Sequence, residues 1–98
     1  MKPTTTTCPV TKTAKLLSDT WTMLVVRALL EERSPMRFCE FERALPGIST
    51  RTLALKLAKL ESERIIRKRA DGTYSATKKG EGLRGVERAM RRYGEKYL

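Results

Sequence analysis

The stretch FCEFERALPGISTRTLALKLAKLESERIIRKRADGTYS, residues 38–75, decides the fold. Phe38, Phe41 and Leu45 recur at i, i+3 and i+7, which predicts a short helix with Glu40, Glu42 and Arg43 outward. Pro46-Gly47 stops it. Ser49 then caps a second helix, whose apolar face is Leu53, Leu57 and Leu60. After Glu63 the period changes. Ile65 to Arg69, Asp71-Gly72 and Thr73 to Ser75 read as two short strands around a turn. Asp-Gly favours a type I′ turn, with positive φ at both central residues.

Outward from this unit the pattern is helical. Residues 1–7 read as a frayed tail. Pro9 suits a first helical position after Cys8, and Val10, Ala14 and Leu17 make 9–18 a short amphipathic helix. Asp19 or Thr20 caps the next, in which Trp21, Leu24, Val25, Ala28 and Leu29 keep helical spacing until about Glu32, before Ser34-Pro35. Thr77 caps a last helix carrying a heptad seam of Leu83, Val86, Met90, Tyr93 and Tyr97. The expected class is α+β, mostly α: a winged helix-turn-helix with a two-stranded wing and terminal dimerisation helices. One domain spans 8–98, with the helix-turn-helix at about 38–63, the wing at about 64–77 and the dimerisation helix at about 78–98.

The composition agrees with a polyanion-binding role. Among 98 residues, 21 Lys plus Arg oppose 11 Asp plus Glu, a formal charge of +10. Residues 64–98 hold 11 of the bases and 4 of the acids, so the cationic surface is concentrated there. With 40% hydrophobic residues the chain is too apolar for a disordered basic tail, and no apolar run exceeds the four residues Met23 to Val26, so no membrane partner is expected. There is no histidine, which removes Ser-His-Asp and Cys-His catalysis; Cys8 and Cys39 alone cannot complete a four-ligand zinc site. The expectation is a non-enzyme with no cofactor and no metal. Two cysteines without an export signal suggest a reducing cytoplasm.

Double-stranded DNA is the expected partner, and the fourth helix places its readers. Ser49 and Thr50, at the helix start, are assigned to phosphate contact or capping. Arg51 is assigned to a base edge, or alternatively to phosphate, and Lys59 to the DNA backbone. Leu55 either touches thymine methyl groups or packs beside the third helix and widens the core stripe, the second being preferred. In the wing Arg69 is the first choice for a DNA contact and Lys68 the second. The last helix's seam, with Val10, Ala14 and Leu17, is assigned to a homodimer interface. A non-specific architectural nucleic-acid-binding protein and a winged-helix protein–protein module are the alternatives to a sequence-specific regulator.

These residues also carry a family resemblance. Cys8-Pro9-Val10, Trp21-Thr22 with the apolar run to Arg27, Arg37-Phe38, Phe41, Arg43 through Ser49, Leu53, Leu57, Leu60-Glu61, and Tyr74 through Thr77 with Gly80 resemble HxlR-type, MarR-like winged-helix regulators. The resemblance implies a homodimeric transcriptional regulator with the terminal helices at its interface. It also implies that Cys8 senses oxidants, quinones or aldehydes, a role suited to a thiol at a helix N-terminus beside Lys12; packing near the interface is the alternative. Cys39 is read as packing. Three departures stand out: a short wing, Leu55 where the family often has a polar residue, and Arg64 where it commonly has glycine. Arg64 is strained by about 1–2 kcal/mol if it turns left-handed.

Overall fold

The computed structural model describes residues 8–32 and 35–98; the frayed tail expected at 1–7 lies outside them. Among the described residues six helices and one hairpin follow in order: α1 (Pro9–Leu16), α2 (Thr20–Glu32), α3 (Phe38–Ala44), α4 (Thr50–Ser62), β1 (Ile66–Lys68), β2 (Tyr74–Ala76), α5 (Lys78–Glu81) and α6 (Arg84–Tyr97). Asp19, not Thr20, caps α2, accepting from the Thr22 amide at 2.9 Å and its hydroxyl at 2.7 Å. Ser49 caps α4 by accepting from the Thr52 amide at 3.0 Å. The predicted stripes close one core: Val25 and Val26 of α2 meet Phe41 of α3, Leu53, Leu57 and Leu60 of α4, and Ile65 and Ile66 at the start of the wing. Phe41 meets Tyr74 edge-on at 6.0 Å, which ties the third helix to the second strand.

β1 and β2 pair antiparallel, with Arg67 opposite Ser75 and Lys68 opposite Tyr74. The turn differs from expectation. Only Gly72 has a positive φ, at +85°, so this is not a type I′ turn. The Gly72 amide donates to the Arg69 carbonyl at 3.0 Å, making a three-residue loop, and Asp71 accepts from both the amide and the hydroxyl of Thr73. A side chain that satisfies the turn internally lets Asp71 avoid the left-handed region. The sheet also has an unforeseen third edge. Met36, before α3, exchanges two backbone hydrogen bonds with Tyr74, at 2.9 and 2.7 Å. One isolated bridge residue has no periodicity, so no pattern announces it.

The junction after α4 is a Schellman close. The Ile65 amide reaches the Leu60 carbonyl at 2.9 Å and the Arg64 amide the Glu61 carbonyl at 3.0 Å. That geometry sets Arg64 at φ +62°, the left-handed conformation. Its cost is partly offset because arginine restricts the unfolded chain more than glycine does. Arg64→Gly is therefore expected to raise stability by about 1 kcal/mol, read as a thermal midpoint about 5 °C higher. An unchanged or lower midpoint would show that the strain is relieved elsewhere.

The last helix is not continuous from Lys78. It breaks at Gly82-Leu83 into α5 and α6. Leu83 is consequently buried in the chain's own core at 7% exposure, which corrects its assignment to a dimer seam. Val86 and Leu17 also pack partly against that core. Among the described residues no helix is long and apolar enough to cross a membrane, and no group of His, Cys, Asp or Glu could hold a metal ion.

Candidate nucleic-acid interface

Helix α4 is closed on one side and open on the other. With Leu53, Leu57 and Leu60 in the core, Arg51, Ala54, Leu55, Ala58 and Ser62 are exposed. Leu55 is 59% exposed, so it does not widen the core stripe as preferred above. The helix turns it about 100° or more away from the buried leucines, leaving a bare apolar side chain beside Arg51. Ser49 is committed to its cap. The Thr50 hydroxyl donates to Glu42 at 2.8 Å, which joins α3 to α4. Capping Thr52 still leaves the amides of Thr50 and Arg51 at the positive end of α4, where an anion is favoured.

Lys59, assigned above to the DNA backbone, turns to its own chain. Its Nζ donates to the Leu16 carbonyl at 3.0 Å and lies 3.8 Å from Asp19, so it serves the end of α1. Lysine stems are long enough to reach sideways, and the orphan carbonyl at a helix end is a better partner than water. In the wing, alternation puts Arg67 and Arg69 along one groove with Ser75, while Lys68 joins both arginines only in the hollow at the wing tip with Ala70 and Asp71, its Nζ 5.8 Å from the Tyr74 ring centre. Arg67 is thus a cation that the sequence reading passed over, although strand alternation from Arg69 already indicated it.

The terminal helices leave large apolar side chains uncovered. Val10 on α1 is 76% exposed, Met90, Tyr93 and Tyr97 on α6 are more than half exposed, and Ala14 is exposed too. The Tyr93 and Tyr97 rings lie 4.9 Å apart on one side of α6. Cys8 sits in the open at the α1 N-cap. Its thiol is held below the usual range by the Thr11 hydroxyl first, then by the Thr11 and Val10 amides. Helix-start donors therefore favour the thiolate, and Lys12 is not among the causes. Cys39 is exposed on α3 rather than packed, because Phe38 and Phe41 take the inward positions.

Comparison with known proteins places this architecture. The model of the HxlR-like helix-turn-helix family matches residues 16–98. The HTH-type transcriptional regulator sll1512 of Synechocystis is 34% identical, over 93% of this chain and 70% of that protein. A MarR-family transcriptional regulator of Porphyromonas gingivalis superposes over the full length of both chains, with TM-score 0.85 and 28% identity. The quinone-bound regulator YodB of Bacillus subtilis superposes with TM-score 0.80 and 30% identity, over 92% of this chain and 99% of YodB. Its diamide-treated form superposes with TM-score 0.70 and 28% identity, over 96% and 98%. With the Ser-capped reading helix, the wing and these relatives together, the chain belongs to the HxlR-like helix-turn-helix family of DNA-binding transcriptional regulators.

Proposed function

We propose that the protein acts in the cytoplasm as a homodimer that reads a two-fold symmetric duplex site, and that oxidation or alkylation of Cys8 changes its grip on that site. The observation that carries this reading is the division of α4 into a core-locked leucine face and an open face bearing Arg51 and Leu55. Laid in the major groove, that face offers a guanidinium for a guanine edge and an apolar group for thymine methyls. The α4 amides and the wing's Arg67 and Arg69 then hold phosphates or the minor groove, with Lys68 in support.

Val10, Ala14, Met90, Tyr93 and Tyr97 support a second copy packed against α1 and α6, because such side chains are seldom left in water together. Half-site centres would then lie about 34 Å apart or a multiple of that. A thiol pKa lowered by helix-start donors at an exposed position supports Cys8 as the group that meets an oxidant or small electrophile, and YodB has been solved with a quinone bound.

The test is a footprint on DNA flanking the protein's own gene, with and without diamide or a quinone. Expected are two protected half-sites and an affinity that shifts at least tenfold on treatment, a shift that Cys8→Ser removes. Equal affinity before and after treatment would discard the thiol switch. A footprint that Leu55→Gln and Arg51→Ala leave unaltered in base preference would discard the reading face.

A further inference from the structure

The reading helix is not held by the core alone. Lys56 and Lys59, three residues apart on one flank of α4, both approach the Asp19 carboxylate, at 3.2 and 3.8 Å. Asp19 is itself fixed, since its two oxygens accept the Thr22 amide and hydroxyl at the start of α2. Lys59 adds the Leu16 carbonyl, the last of α1, at 3.0 Å. One carboxylate and two ammonium groups thus join three elements: the end of α1, the start of α2 and the middle of α4.

We infer that this charged elbow sets the rotation of α4, making Asp19 a positioning residue for DNA reading and the route by which displacement of α1 reaches the groove. The geometry follows from the helix itself. At 100° per residue, Lys56 and Lys59 occupy the flank between the buried leucines and the open face. A pull there rolls Arg51 and Leu55 across the groove floor, whereas a pull along the leucine face would meet close-packed side chains. The three groups are each only partly exposed, with side chains 24–34% accessible, so their attraction is less screened than that of a surface pair. Burial by itself would raise the Asp19 pKa, yet the Thr22 hydroxyl and amide and then Lys56 bring it to about 2, so the carboxylate stays charged throughout the working range. Because α1 opens with Cys8, a change in α1 and a change in α4 are linked through Leu16 and Lys59.

The inference rests on α4's open face being the DNA reader, and the experiment separates the two ideas. The probes are a duplex selected by the wild-type protein from a random pool and a scrambled duplex of equal length. Asp19→Asn, which can still accept at the α2 cap, and Lys59→Met, which keeps the apolar stem, are each expected to weaken binding to the selected duplex about tenfold. Binding to the scrambled duplex stays within twofold for both variants. The salt slope of Lys59→Met stays at the wild-type value, because this lysine holds protein rather than phosphate. The double variant is no weaker than either single one, the mark of a shared interaction, and Asp19→Glu recovers part of the selectivity.

A merely structural role would lower both affinities together, in step with the folded fraction, and that result overturns the inference. A wild-type ratio of selected to scrambled binding in both variants overturns it as well. Should Asp19→Asn fail to fold, Lys59→Met alone decides. Arg51→Ala is the reference: if it too keeps the wild-type ratio, the reading face has failed, whereas if it lowers the ratio and the elbow variants do not, only the elbow has.

Discussion

Gly80→Ala is expected to destabilise the protein by about 3 kcal/mol, a fall in thermal midpoint of roughly 15 °C. A Cβ at this position would lie 2.1 Å from the Ile65 carbonyl oxygen and 3.2 Å from its carbon, and both are backbone atoms that no rotamer change can move. The same carbonyl accepts the Thr77 amide at 3.0 Å, and the Thr77 hydroxyl in turn accepts the Gly80 amide at 3.1 Å. Relieving the clash therefore separates α5 from the backbone just before β1 and strains the cap that begins α5. Leu83 follows directly and would be drawn from the core. Gly85→Ala is the control, because a Cβ there meets nothing within 4 Å and alanine favours the helix. Thermal unfolding should show opposite signs for the two changes. A midpoint within a few degrees of wild type for Gly80→Ala would mean that α5 has room to move.

Arg67→Ala combined with Arg69→Ala should weaken binding to any duplex by about a hundredfold or more near 0.15 M salt. For a dimer the pair removes four guanidinium groups, and each phosphate contact contributes a slope of about 0.9 in log affinity against log salt. The slope is expected to fall by roughly 3 to 4 while the ranking of preferred sequences persists, since the proposed base reader is α4. Lys68→Ala is expected to do less, because it removes one cation instead of two and the groove beside Ser75 is lined by the arginines and not by Lys68, whose Nζ lies near Tyr74. Affinity measured at several salt concentrations checks this. An unaltered slope in the double variant would remove the wing from the DNA contact.

Much of the arrangement is legible along the chain, and the misses have physical causes. Leu53, Leu57 and Leu60 announce the buried face of α4 because helical periodicity and burial are the same geometric fact. Leu83, the N-cap of α6, and Val86 one turn on face the chain's own core, whereas Met90, Tyr93 and Tyr97 further along the same spacing stay exposed, so the period alone does not tell the two ends of the seam apart. The Thr50 hydroxyl and the Lys59 ammonium are engaged by Glu42 and Leu16, which come from other elements and which no spacing along α4 brings into view. Asp71-Gly72 marked the turn correctly and its type wrongly, since the Asp71 side chain bonds to Thr73 and alters the backbone optimum. Cys39 is exposed simply because two phenylalanines hold the inward positions of a seven-residue helix.

The sequence by itself determined the order of elements as far as the last helix, the caps at Ser49 and Thr77 and the inner face of α4. These are local properties, set by spacings of a few residues and by backbone preferences of single side chains. Only the tertiary structure decided that Leu55 is uncovered, that Leu83 is not, and that Asp19 grips α4. Those are decided by which elements meet. Asp19 and Lys59 are 40 positions apart in the chain, and no period links them. Their meeting follows from the burial of α2 against α4, which brings a helix start and a helix flank within reach of a lysine stem.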